Sequence, residues 1–341
     1  MGKDKDFAEI TEQIRIQKSR GLKISDTQKM AMYLETNNYF DFINGFETLF
    51  LVDPKDKTKG YLRGTSLKDF ELLNSFDLEL SKEIMNCLCS FEKKLKSQLS
   101  HHFSRIHCNT LSKTLNYQDK AYYTYPVPGS YEYSYLSRQY NDDTFVLFAK
   151  YNKYGSKIPK GVGVSYADSK KKVIDYIAAF NQPPLWVIIK QLMFGDLYIM
   201  VSLLDDSVLE PILKSYGLTL TDRDYFLNCL DVLKSLRNHC AHFELVNRFR
   251  THNKTDLRII HSKLPIRVVS YFPTGPIFQM KLYDTLLVLS QFTSIRRPVL
   301  CIYKLSIINL FRRRVSLNYK LLERMGRRKF TDWIVLMNRN C

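Results

Sequence analysis

The sequence predicts an all-α protein, a multi-helix bundle with an irregular Tyr-rich insertion and a small hairpin. Glycine and proline are few, at 13 and 11 of 341 residues, which argues against an all-β chain rich in turns. Hydrophobic residues make up 45% of the chain, enough for a sizeable core. The clearest helical signal is a row of apolar residues three or four apart, which marks one buried stripe: Leu72, Phe76, Leu80, Ile84, Leu88 and Phe91.

One domain over residues 1–341 is expected, because no internal repeat or low-complexity tract divides the chain. Ser66 followed by Asp69 forms an N-cap box that opens the long helix. The expected parts are N-terminal helices at 1–65, a long core helix at 66–107, an irregular insertion at 108–164, core helices at 165–249 and a basic C-terminal helical part at 250–341.

Within those parts the local pattern predicts individual elements. Helices are expected at 5–19, from about Ser25 to Asn37, at 138–152, 165–181, 184–204, 222–249 and 278–340. A loop or small hairpin is expected at 52–64. Alternating apolar residues at 257–261 and 266–272 favour a hairpin or extended connection. Seven Tyr with two Pro and a Gly at 108–137 predict an irregular segment.

The charge balance predicts an acidic partner. Lys and Arg total 51 against 34 acids, for a formal net charge of +17, which favours nucleic acid or an anionic membrane surface. No stretch of the sequence reaches 18 uncharged apolar residues, so no membrane span is predicted. The seven Cys are scattered, without zinc-ligand spacing, so reduced thiols in a cytoplasm are the simplest interpretation, and no cofactor or metal is expected.

The segment Ser235–Arg248 carries the residues best suited to chemistry. Arg237, Asn238 and His242 fall within one and a half turns of a predicted helix. His can act as acid or base near neutral pH, and the planar Arg fork matches phosphate oxygens. The set suits attack of an RNA 2′-hydroxyl on its own phosphodiester. Because bare spacing is weak evidence, a core helix with a buried His and a surface Arg is the alternative interpretation.

One His is too little for two proton transfers, so a nuclease of this kind is expected to be a homodimer that pairs two motifs. Flanking residues could assist: His239 could lie near His242, and Glu244 could orient an imidazole; the alternative is that each is a surface or packing residue. The sequence contains no P-loop, no dinucleotide glycine fingerprint and no zinc-protease motif, and its paired acids offer no convincing metal cluster.

A basic belt lies near the C-terminus. Between Arg296 and Lys329 the sequence has 11 Lys or Arg and one acid, with apolar spacers typical of a folded face. We expect this basic face to contact RNA phosphates. The alternative is that it is an ordinary helix face exposed to solvent. The aromatic rings at 116–140, which lie beside cations, could likewise stack on RNA bases. The alternative is that they pack a loop onto the body of the protein. The predicted RNA-binding residues are Arg248, Arg312, Arg313, Arg314, Arg327, Arg328 and Lys329.

Several segments together resemble Abi-like (AbiD/AbiF type) abortive-infection proteins of the HEPN superfamily. The central one is Leu236–His242, which matches an R-N-x-x-x-H signature, followed by Asn247 and Arg248. Phe76-Asp77 and the segment beginning Pro184-Leu-Trp are also similar. Met325-Gly326 with Trp333 is similar to the closing segment but lacks its Pro.

The resemblance implies a HEPN-like bundle and a role in phage defence as a toxin-like, metal-independent endoribonuclease. His242 would be the acid or base, Arg237 would stabilise the phosphorane and Asn238 would orient. The alternative is a non-catalytic RNA-binding protein in a stable complex with a small non-coding RNA. A membrane-active effector is a third possibility, which leaves the motif unexplained.

Overall fold

The structure, a computed structural model, describes residues 7–130, 132–141, 179, 183–251, 256–267, 269–271 and 277–337, and most of them are helical, which confirms the all-α prediction. The α-helices are α1 Ile10–Ser19, α2 Thr27–Thr36, α3 Glu47–Phe50, α4 Leu67–His107, α5 Tyr133–Asn141, α6 Leu185–Ile188, α7 Phe194–Ser202, α8 Asp206–Lys214, α9 Arg223–Ala241, α10 Leu257–His261, α11 Leu282–Leu289, α12 Arg296–Phe311, α13 Val315–Met325 and α14 Phe330–Met337.

The helix α4 is the centre of the bundle. It begins where the sequence predicts, because the Asp69 carboxylate accepts the backbone N–H of Ser66 at 2.8 Å. Its apolar stripe packs against α8, α9 and α12. The stripe runs through Leu73 rather than Leu72, which is only half-buried. Eleven large side chains of the helix are buried: Leu67, Phe70, Leu73, Phe76, Leu80, Ile84, Leu88, Phe91, Leu95, Leu99 and Phe103.

Two antiparallel hairpins interrupt the helices. Strands β1 Leu51–Asp53 and β2 Asp56–Tyr61 form the first, as predicted for 52–64. Strands β3 Val269–Tyr271 and β4 Ile277–Gln279 form the second. β3 lies where a hairpin or extended connection was expected, whereas β4 covers the first residues of the region predicted as helix from residue 278. The extended conformation predicted for residues 257–261 is wrong, because these residues form helix α10. The Asp256 carboxylate caps this helix by accepting the N–H of Arg258 at 3.0 Å.

The apolar run 184–204 does not form the single helix predicted from its hydrophobicity. The helix α6 passes into a 3-10 turn at Ile189–Gln191, and α7 starts separately at Phe194. The Asp196 carboxylate accepts the N–H of Met193 at 2.9 Å, so the run contains its own helix start. The Asp196 cap therefore starts a new helix at Phe194, although the surrounding sequence is apolar throughout.

The Tyr-rich segment is irregular up to Ser130, as predicted, with 3-10 turns at Leu111–Lys113, Asn116–Gln118 and Lys120–Tyr122. The helix predicted at 138–152 begins earlier, because α5 starts at Tyr133. Tyr117 and Tyr123 are buried, and the Tyr117 hydroxyl donates to the Pro183 carbonyl at 2.8 Å. These two rings therefore pack the segment onto the body. The insertion beyond residue 141 and the helix predicted at 165–181 lie outside the described residues, apart from residue 179.

None of the helices described is long and apolar enough to cross a membrane. Over the same residues, no group of three or more His, Cys, Asp and Glu side chains could hold a metal ion.

Candidate functional site

The motif helix α9 ends at Ala241, which corrects the predicted end at residue 249. Its buried face carries Leu230, Leu233 and Leu236. The helix stops because the N–H of Glu244 bonds the carbonyl of His239 and the N–H of Phe243 bonds that of Cys240, both at 3.2 Å. This pair of reversed bonds is the Schellman motif, and it makes His242 the C-cap residue.

Phe243 occupies the left-handed position of that helix end, with φ of 58°. Glycine normally fills this position, because a side chain there costs about 1 kcal/mol. The Phe243 ring is 83% exposed, so no burial of the ring offsets the cost. The strain is local to the residue that directly follows His242.

The three motif residues lie together at the end of α9. Asn238 and His242 are both exposed, and the backbone N–H of His242 bonds the Asn238 carbonyl at 3.0 Å. Arg237 is half-buried and lies beside α4, where its charge reaches the Cys89 thiol. No described residue makes a hydrogen bond or an ion pair with the side chains of Arg237, Asn238 or His242. All three remain available to a ligand.

His239 has a different environment from His242. Its Nδ1 lies 2.9 Å from the Glu244 carboxylate, and its Nε2 lies 3.0 Å from the Leu245 carbonyl. Its ring also meets Phe249 edge-on at 5.1 Å. Glu244 therefore orients His239, whereas the sequence left open which imidazole it would serve. Both nitrogens of His239 are used to hold the chain after the helix.

Asp77 of α4 fixes the segment that follows the motif. Its carboxylate accepts the N–H of Val246 at 3.0 Å, the N–H of Asn247 at 2.9 Å and the side-chain amide of Asn247 at 2.8 Å. Burial raises the pKa of Asp77 to about 6, against these three hydrogen bonds and the charge of His239. Sequence reasoning gave Asp77 no role in the site, although an acid inside an apolar stripe was a usable signal.

A half-buried arginine supports the other side of Asn247. The Arg324 guanidinium donates to Asn247 Oδ1 at 3.3 Å and to the Gly45 carbonyl at 3.0 Å. Burial first, then the charges of Arg248 and Arg250, lower its pKa to about 9. Gly45 is needed here, because a Cβ on it would lie 1.9 Å from the backbone carbonyl oxygen of Asp41 and 2.4 Å from the Leu245 side chain.

Of the predicted RNA-binding residues, Arg248, Arg312, Arg314 and Arg327 have protein partners. Arg248 is half-buried and donates to the Asn44 carbonyl. Arg327 is 9% exposed and donates to the Asp284 carboxylate at 3.1 Å. Its guanidinium therefore neutralises a buried acid rather than forming part of the exposed face.

The remaining belt residues lie at the surface. Arg312 and Arg314 both reach the buried Asp69 carboxylate, at 3.0 and 3.4 Å, and are 35% and 27% exposed. Arg313 between them is exposed, as are Arg328 and Lys329. Because Asp69 anchors its two neighbours, the arginine triplet holds a fixed arrangement next to the start of α4.

A cavity of about 470 Å³ lies beside the end of α9, between that helix and α4. Asp77, Ser81 and Met85 line it from α4, and Cys240 and Phe243 line it from the motif. The end of α9 thus borders a space that a small group could enter.

A family model described as Abi-like protein matches residues 32–246. The match runs from α2 through the motif and includes Asp77, Arg237, Asn238 and His242. The basic belt lies outside it. No curated protein and no solved structure matches the chain.

We expect Asp77→Asn to change the pH dependence of stability. The folded-state pKa near 6 is above the ordinary value of 3.8, so the stability that Asp77 contributes is complete below 3.8 and is lost as the pH rises through about 6. The free energy of unfolding of the wild type, relative to Asp77→Asn, should fall by about 1 kcal/mol between pH 5 and 7. Urea denaturation across this range measures the difference, and a flat difference would refute the account.

Phe243→Gly should stabilise the fold by about 1 kcal/mol, because glycine adopts the left-handed conformation without a steric cost. Phe243→Ala is the matched control, since it removes the ring and keeps the Cβ. Denaturation of the three proteins separates the two effects. Equal stability of the Gly and Ala variants would show that backbone strain at residue 243 is absent.

Proposed function

Because the chain belongs to the Abi-like protein family, we propose that it acts in abortive infection as a metal-independent endoribonuclease of HEPN type. The family match supports the abortive-infection role. The observation that carries the nuclease proposal is the contrast between two histidines: His239 is held on both nitrogens, whereas His242 is exposed at the helix end beside Asn238 and Arg237. A working acid–base group needs that freedom.

The chemistry follows from the residue types. In the proposed reaction His242 takes the proton of an RNA 2′-hydroxyl as its oxygen attacks the adjacent phosphorus. The bond from phosphorus to the 5′-oxygen breaks, a 2′,3′-cyclic phosphate forms, and the leaving 5′-oxygen takes up a proton. Arg237 stabilises the charge on the phosphorane oxygens. Asn238 donates a hydrogen bond that orients the phosphate or the imidazole.

A homodimer would supply the second proton-transfer group. Each chain has one motif, and two copies about a two-fold axis bring two His242 side chains to one phosphate. The exposed Phe243 ring follows His242 directly and would lie within such an interface. A left-handed residue retained at a functional position is a known use of local strain.

The second candidate function is stable binding of a small non-coding RNA without cleavage. The observation that favours it is the arginine triplet Arg312–Arg314, whose outer members are fixed by Asp69 while Arg313 is exposed. Pre-positioned cations bind phosphates at a lower entropic cost. Arg328 and Lys329 extend the same chemistry along the belt.

His242→Ala should lower RNA cleavage in EDTA by about 10²–10⁴-fold, the usual contribution of an acid–base group. Because His242 is exposed, thermal unfolding should not change. The matched control is His261→Ala, an exposed His on α10, which should cleave normally. The assay separates products by gel and tests for 2′,3′-cyclic ends. Undiminished cleavage by His242→Ala would refute the assignment.

Charge reversal tests the belt separately. Arg313→Glu and Lys329→Glu should each weaken RNA binding and reduce its salt dependence by about one phosphate contact, measured as RNA retained across a salt series. Arg258→Glu, which is 92% exposed on α10, is the matched control. Equal losses in all three variants would reflect net charge alone and would exclude a specific surface.

A further inference from the structure

Two cavities join into one groove along α4. Their volumes are about 560 and 450 Å³, and they share Ser97, Ser100 and Trp186. The first begins at Cys89 and the second reaches Cys108. At 1.5 Å per residue, this part of α4 is roughly 28 Å long. We call it the α4 groove; it is long enough for several nucleotides of a single strand.

The α4 groove is positively charged. Lys93, Lys190 and Arg105 line it and are exposed. None of these three cations forms an ion pair with a residue that the structure describes. The acid in the lining, Glu92, is already paired with Lys96 at 2.8 Å. A ligand in the groove therefore meets several uncompensated cations.

Trp186 supplies an aromatic surface in the middle of the α4 groove. Its side chain is 53% exposed, although tryptophan is among the residues that most favour burial. It lines both cavities, opposite Ser97 and Ser100 of α4. An exposed ring beside cations is the arrangement on which unpaired bases stack.

A buried hydroxyl points to a polar ligand at the far end. Ser104 Oγ is buried and has no hydrogen-bond partner among the described residues, and Ser104 lines the second cavity. Beside it, burial and the charges of His101 and Arg105 lower the pKa of His102. A phosphate oxygen or a ribose hydroxyl would satisfy Ser104 and be attracted by these charges.

The near end of the α4 groove lies at Cys89 of α4, close enough to the motif for the charge of Arg237 to act on its thiol. Burial, then Glu92, raises the pKa of the Cys89 thiol, while the charge of Arg237 opposes the rise. Cys89 lines the first cavity, so the charge of Arg237 acts on a residue at the groove's end. A strand lying in the groove would bring its backbone towards Arg237.

We propose that the α4 groove binds single-stranded RNA, with a base stacked on Trp186 and phosphates held by Lys93, Lys190 and Arg105, and delivers the strand to the motif. The inference rests on the proposed function and defines its substrate as unpaired RNA. A duplex keeps its bases stacked inside and offers no face to Trp186.

The protein reports on this site by its own fluorescence. It has two Trp, and Trp333 is fully buried with its indole N–H bonded to the Arg327 carbonyl. Titration of the full chain carrying His242→Ala with a short oligouridylate should therefore quench Trp186. Trp186→Ala should remove the quenching and weaken binding, by fluorescence anisotropy of labelled RNA, by about tenfold.

Charge variants complete the test. Lys93→Glu and Lys190→Glu should each weaken binding severalfold, whereas Lys55→Glu, an exposed residue in the turn between β1 and β2, should not. Binding without quenching and without loss in these variants overturns the inference, as does equal quenching by duplex RNA. If the wild type cleaves RNA and the groove variants cleave it equally, the inference fails while the nuclease proposal stands. Quenching without wild-type cleavage supports the groove and removes the nuclease.

Discussion

The arrangement of the motif depends on one buried carboxylate. Asp77 lies in the apolar stripe of α4 and accepts three hydrogen bonds from Val246 and Asn247. Without them, two backbone N–H groups would be buried and unpaired, which costs about 1–3 kcal/mol for each group. Burying the Asp77 carboxylate is itself unfavourable, and this burial is what raises its pKa. The chain after α9 thus has one position, and the position is set from the central helix.

That constraint separates the two histidines at the end of α9. Because the following chain is fixed on Asp77, the helix must end abruptly, and the Schellman bonds with Phe243 in the left-handed region accomplish this. His239 then faces inward between Glu244 and the Leu245 carbonyl, and His242 faces outward. His239 and His242 are only three residues apart, yet His239 holds the structure and His242 is exposed to a ligand. The residues that could bind a ligand are therefore concentrated on one side of the helix end.

The spacing of apolar residues predicted the fold wherever one unbroken helical pattern corresponds to one helix. The cap at Ser66 and the apolar stripe located α4 to within a residue, and the leucines of α9 located the motif helix. The prediction failed at 184–204, where Asp196 starts a second helix inside an apolar run, and at 222–249, where long-range bonds to Asp77 end the helix early. The acid inside the apolar stripe marked Asp77 as unusual, but its partners Val246 and Asn247 and the burial of Arg327 against Asp284 were not predictable, because these partners are far away in sequence.

The central claim is that His242, and not His239, meets the RNA phosphate. The most direct measurement is the imidazole NMR spectrum of ¹⁵N-histidine-labelled protein as a 2′-deoxy-substituted, uncleavable oligonucleotide is added. The account predicts that the His242 resonances shift with saturation and that those of His239 stay in place. Movement of His239 with an unchanged His242 would contradict it and assign the motif a structural role.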